Sequence, residues 1–361
     1  MPTVTDARDF AGNGAVFGRR GRMIAVGIAV AIAVAGLAWA KWVPYTGKIV
    51  SLGAGSPWPG GDILRTGGVQ PGDAPSWSAA WSFTRAYGVS IWHALLVALL
   101  VSAAVQTLLP PSWLPNLLNR RGRVRDAVAG GLAGTPSMMC TCCTAPVATT
   151  LRRNGASTSA SVAYWLGNPL LNPAVLVFLA ILAPWQWTVT RLLVGAVVVI
   201  AGAALVARFA EWRTDAQAVA AVPTAPCEYA PTLGRFLRAV GWLILTLVPE
   251  YLIVVMLLGA FRGWLLPLLD GGHTGPLVAV VAAVIGTLVV IPTAGEIPIL
   301  LALASIGLAA GPIGALLLTL PAVSLPGAAM VIRTFGARAT IATACVAAAG
   351  GLLAATILSI L

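Results

Sequence analysis

Charge is what this sequence has least of. Only 9% of its 361 residues are Asp, Glu, Lys or Arg, whereas soluble domains carry about 25%. So few ionisable groups cannot cover the surface of a soluble chain this long, which excludes an ordinary soluble enzyme. Acidic residues are the scarcer sign, 11 against 22 basic ones, and histidine occurs only at His93 and His273. A His-based metal centre or a catalytic triad therefore has little to work with. The Gly-rich loop ending in Lys-Ser or Lys-Thr is missing as well, which argues against ATP hydrolysis. No cofactor is expected. Cysteine is sparse too: Cys140, Cys142 and Cys143 crowd together, while Cys227 and Cys345 stand alone. That spacing does not suit a disulfide framework.

What the chain has is apolar length, with 58% hydrophobic residues. A hydrocarbon core about 30 Å thick needs about 20 apolar residues in a helix rising 1.5 Å per residue. Seven runs meet that test: Met23–Val43, Val89–Leu109, Thr158–Ile181, Thr188–Ala207, Phe236–Ala260, Gly311–Ile332 and Ala337–Leu361. The expected class is therefore an all-α polytopic membrane protein. The net charge of +11 sits in short clusters between these runs, as in cytoplasmic loops, and not on one nucleic-acid-binding face.

Two further apolar stretches, Ala127–Leu151 and Leu277–Ile306, are interrupted in the middle. Pro136 to Pro146 breaks the first, and Pro292-Thr293-Ala294-Gly295-Glu296-Ile297-Pro298 breaks the second. Proline removes a donor and clashes with the preceding turn, so neither predicts a continuous helix. Each could cross as a broken helix or re-enter as a hairpin. With the N-terminus inside and both as hairpins, most Lys and Arg residues face the cytoplasm, including Arg120–Arg125, Arg152, Arg153, Arg333 and Arg338. Full crossings split them nearly evenly, so the positive-inside rule prefers hairpins.

An offset of 152 residues brings Thr141 onto Thr293, Pro146 onto Pro298, Gly155 onto Gly307 and Pro169 onto Pro321. The expected organisation follows from it. Residues 1–22 form a cytoplasmic N-terminus, 23–43 an extra first helix and 44–88 an extracytoplasmic loop. Residues 89–208 form one repeat, 209–235 a cytoplasmic linker and 236–361 a second repeat. Ala38-Trp39-Ala40 raises the alternative of a leader peptide, for which the first run is long. Trp77 and Trp81 are expected at the headgroups, and Arg191 is expected to snorkel outward beside Trp185 and Trp187. In the hairpin topology three crossings separate equivalent positions, so the copies are inverted. Inverted repeats with broken helices meeting near the midplane are common in secondary transporters. An old duplication without a transport role is the plainer reading of the repeat.

The candidate site lies at the breaks. Thiolates are soft ligands, which makes Cys140 and Cys142, with Cys143, candidates for a thiophilic ion or solute. As small apolar packing residues they would need no ligand. Neighbouring residues on a regular helix diverge, so the three converge only where the backbone unwinds. Glu296 and Glu250 are the acidic residues inside apolar segments. Ionisable groups at membrane depth are costly and mark pathways or proton relays, so both are proton-coupling candidates. Each could equally satisfy backbone groups freed by a neighbouring proline. Thr293, Asn168, Asn172 and Ser324 could present donors and acceptors to a substrate, or bond across helices. His93 reads as a packed or headgroup-facing residue.

The stretch Gly134 to Pro173 resembles the predicted permease family that includes the organoarsenical exporters. Its pattern is Cys-x-Cys with Pro four residues on, a Gly-Ala-Ser turn and an Asn-Pro helix. Here these are Cys140-Thr141-Cys142, Pro146, Gly155-Ala156-Ser157 and Asn172-Pro173. The chain departs in Thr141, where Ser is usual, in the additional Cys143, and in the greater distance of Pro136 from the first cysteine. The resemblance implies a multi-pass permease of the bacterial inner membrane, with Cys140 and Cys142 as thiols acting on trivalent arsenic. The expected partners are the lipid bilayer and a small solute or ion, not nucleic acid, with homo-oligomerisation left open. Two other readings remain at this point: a membrane thiol-redox enzyme using Cys140 and Cys142, and a non-transporting scaffold.

Overall fold

The computed structural model describes residues 19–56, 63–109, 113–211, 232–269, 276–305 and 307–361. Among them every regular element is helical. Six helices are long and apolar enough to cross a membrane, and a seventh span arises if one bent pair is counted. The proposed N-terminus and linker fall largely outside the described residues, at 1–18 and 212–231.

The first span runs from Met23 to Gly53. It comprises α1 (Arg19–Leu37) and α2 (Val43–Gly53), joined by a π-turn over Ala38–Trp42. This extra residue per turn rotates the helix face and brings Lys41 to a buried position. α3 (Trp77–Thr107) starts at Trp77 instead of Val89, so the expected loop 44–88 is helical at both ends. The reason is packing. Ala79, Ala80, Phe83, Thr84 and Tyr87 recur at helical spacing and are buried, and the Ser76 hydroxyl caps the start by accepting from Ala79 N at 3.1 Å. Trp77 and Trp81 stay exposed beside this start.

The first interrupted stretch becomes α5 (Arg123–Gly134) and α6 (Thr141–Arg153), preceded by the short α4 (Trp113–Leu118). Next come α7 (Thr158–Leu170), α8 (Pro173–Leu182), α9 (Trp185–Val197) and α10 (Ala203–Glu211), the last two joined by a π-turn. α11 (Leu233–Leu269) packs along α3. The second interrupted stretch becomes α12 (Pro276–Gly286) and α13 (Glu296–Ser305). The bent pair α14 (Ala310–Ala322) and α15 (Leu325–Phe335) meets at 52°, and α16 (Ala337–Ile360) ends the chain.

Each half of the interrupted stretches is too short to span about 30 Å alone. The 152-residue offset recurs in the elements themselves. It carries the start and end of α7 onto those of α14, and the start of α9 onto that of α16. It also pairs Gly155 and Gly307, at φ 90° and 88°, each in a turn that favours glycine. α5 packs against α7 and α12 against α14, again as equivalents. Glycines allow the approach. A Cβ on Gly130 would overlap the Ala160 carbonyl, and one on Gly286 the Thr319 hydroxyl.

Candidate functional site

The first break unwinds where Pro136 and a left-handed Met138 (φ 52°) interrupt the helix. Cys140 is the N-cap of α6, with extended backbone at φ −79° and ψ 163°. An N-cap side chain folds back over the first helical turn. Cys142 and Cys143 sit in that turn, so the three thiols converge. Cys140 Sγ lies 3.1 Å from both other sulfurs, and Cys142 to Cys143 is 4.0 Å. Three sulfurs each about 2.3 Å from one ion would stand roughly 3.8–4.0 Å apart. The trio therefore needs to open by less than an ångström at two edges to hold a soft ion, and all three thiols are free and buried.

Two phenols close over the trio. Tyr87 of α3 and Tyr251 of α11 place their hydroxyls 3.2 Å and 3.6 Å from Cys142 Sγ. Thr141 ties this break to the second half of the chain by donating to Pro321 O at 2.8 Å. Its own carbonyl accepts from Trp165 Nε1 at 2.9 Å.

The second break turns at Pro292–Gly295, closed by Gly295 N donating to Pro292 O at 2.8 Å, with Ala294 left-handed at φ 67°. Glu296 opens α13 and is 1% exposed. Its Oε1 lies 2.8 Å from Arg191 Nη2. Arg191 is 0% exposed and also donates to the Pro169 and Leu170 carbonyls. It therefore does not snorkel outward, as its neighbours Trp185 and Trp187 suggested; a buried carboxylate and the open carbonyls at the C-terminal end of α7 recruit it inward.

Cys140, Thr141, Cys142, Thr293, Glu296 and Ser324 share one small cavity of about 10 Å³, the room of one water. The Ser324 hydroxyl is buried with no hydrogen-bond partner. Cys143 touches Cys140 but does not line this cavity. Asn168 is not at the cavity. Its carbonyl oxygen accepts from the Ser137 hydroxyl and from Met139 N, and its amide donates to Tyr164 O at 2.9 Å, so it braces the first break. Asn172 caps α8 through Ala174 N and Val175 N, while its Nδ2 is buried without a partner. The side chain of Glu250 falls outside the described residues.

A family model described as a predicted permease matches residues 76–360. The chain belongs to that predicted permease family. It is 38% identical over 325 residues to the UPF0718 protein YraQ of Escherichia coli (strain K12), covering 89% of this chain and 91% of that protein. No solved structure matches.

Sequence reasoning misplaced one polar side chain of this permease, Arg191, and overlooked three others, Lys41, Tyr87 and Tyr251. Arg191 sits inside an apolar run, which is itself a signal of a buried partner. Lys41 lies at the end of a run and passes for an interfacial residue, yet it is 6% exposed and donates to Thr293 Oγ1 at 3.1 Å and Tyr45 OH at 3.3 Å. Tyr87 and Tyr251 carry no sequence signal, since only the pairing of α3 with α11 brings their hydroxyls to Cys142.

Proposed function

We propose that this membrane permease is a gradient-driven secondary transporter whose thiol trio engages a thiophilic solute, such as a trivalent arsenical, a soft metal ion or a sulfur compound. The observation that carries this reading is the convergence of three buried thiols, two of which line a cavity formed jointly by both breaks. Irregular backbone at membrane depth is tolerated mainly where it is buried in protein or lines a path. The matching element boundaries at an offset of 152 residues support two copies, and the charge distribution favours their inversion. In this arrangement the breaks are tips of hairpins that enter from opposite faces.

Thr293 and Ser324 add oxygen ligands beside the sulfurs, and the buried Ser324 hydroxyl is available to a solute. Glu296 carries the coupling proton. Its ion pair with Arg191 gives that role a specific form: a proton arriving on Glu296 removes the charge that holds Arg191, and the α9–α13 link is released. Transport then alternates between paired and unpaired states. Bacterial inner-membrane residence and export follow from the family resemblance and belong to the same reading.

Reconstitution tests it. Vesicles containing the full chain should move a trivalent phenylarsenical down an imposed proton gradient, and Cys142→Ser and Glu296→Gln should each reduce the flux by at least about tenfold. Parent-like flux in both variants would remove the site assignment. An intramolecular Cys140–Cys142 disulfide that forms and re-forms during turnover would instead point to thiol–disulfide exchange.

A further inference from the structure

Above the thiol cavity lies a second, much larger one. It measures about 510 Å³ and is open on one side. Its walls come from the π-turn and α2, from α3, and from the second break, and Pro292 and Thr293 are common to both cavities. The polar side chains in it are Lys41, Lys48, His93, Tyr45, Thr66, Ser90 and Thr293, and among the described residues none of its lining is acidic. Lys41 stands at its floor, on the boundary with the thiol cavity through the bond to Thr293.

Lys41 is the exceptional group. Buried charges are normally paired with an opposite charge, because the penalty of leaving water is several kcal/mol per ion. Among the described residues Lys41 instead bonds to two hydroxyls, on Tyr45 and Thr293, and lies over the Tyr45 ring at 5.2 Å. Hydroxyls and a ring face soften the burial but carry no formal charge, and the Cys140 and Cys143 thiols lie close enough to interact electrostatically with Lys41. Lys48 lies over the same ring at 6.0 Å. Lys41 belongs to the first span, ahead of the segment matched by the family model, residues 76–360.

We infer that this cavity is an anion-binding antechamber, in which Lys41 supplies the counter-charge and Thr293 passes the anion to the thiol cavity. Within the proposed solute class the antechamber accordingly favours anions that carry a thiophilic atom over neutral or cationic members. This deepens the proposed transport reading and rests on it for the direction of passage, but the charge selectivity of the antechamber stands on Lys41 alone.

The test uses the full chain in membranes with Ser90→Cys as a reporter in the cavity wall. The reporter is labelled with the anionic sulfonatoethyl and the cationic trimethylammonioethyl methanethiosulfonates. Each rate is divided by that reagent's rate with 2-mercaptoethanol, and labelling of the parent chain is subtracted. The anionic reagent should react about tenfold faster or more. Lys41→Gln should bring the ratio towards unity, and Lys41→Arg should keep it. A ratio at or below unity overturns the inference, and this result needs no Lys41 variant to fold. A ratio unchanged by Lys41→Gln in folded protein also overturns it. Loss of thiol function would leave the ratio untouched, so the two readings fail separately.

Discussion

Arg191 and Glu296 face each other across 2.8 Å in the interior, although 0% and 2% of their side chains reach solvent and each comes from a different half of the chain. A pair of this kind contributes little net stability over an apolar substitute, but removing one partner strands the other. Arg191→Leu is expected to destabilise the purified protein by about 3–5 kcal/mol, seen as a lower thermal midpoint in detergent. Arg191→Leu with Glu296→Leu should recover most of that loss. If the double variant is no better than the single one, the pair is not the reason Arg191 is buried.

The thiol trio predicts a specific protection pattern. Cadmium or a trivalent phenylarsenical should shield Cys142 from maleimide labelling in the parent. Removing Cys140 or Cys143 should weaken that protection at least about tenfold, since each soft ligand contributes several kcal/mol at such centres. Equal protection in Cys143→Ser would exclude Cys143 from the ligand set.

Asn168 and Cys142 should behave differently when replaced. Asn168→Leu leaves Met139 N without its acceptor, at about 1–3 kcal/mol for a buried group left unpaired, while the Ser137 hydroxyl keeps only the Gly134 carbonyl. The expected result is less folded protein, with flux per folded molecule retained. Cys142→Ser should give the opposite result, normal yield and lost flux. Quantifying both by size-exclusion recovery and vesicle flux separates bracing from binding.

Close helix packing gives a fourth prediction. Gly130→Ala forces a methyl into the Ala160 carbonyl, backbone against backbone. Overpacking costs about 1–3 kcal/mol or more, so stability should drop measurably in a thermal scan. Gly47→Ala, where nothing lies within 4 Å, should not destabilise.

Much of this architecture was legible because apolar length and proline are local signals. The spans, the two interruptions and the 152-residue offset follow from residues close in sequence, and the convergence of Cys140, Cys142 and Cys143 needed only the unwinding that Pro136 promised. The onset of α3 was not legible: Gly, Pro and Ser around residues 53–76 imply a loop, and only packing against α11 extends the helix back to Trp77. Arg191 was misplaced for the opposite reason. Flanking tryptophans suggest an interface, but a carboxylate distant in sequence decides where the guanidinium goes. Lys41 needed the π-turn, which no composition signals. Long-range polar partners are what a single sequence hides.

The claim on which the rest depends is that the two interrupted stretches enter from opposite faces and meet at the thiols. Cysteines placed just after each, Asn154→Cys and Ala310→Cys, test it with an impermeant maleimide added to intact cells and to inverted vesicles. The account predicts labelling of position 310 from outside and of position 154 only in inverted vesicles. Labelling of both positions from the same side would contradict it.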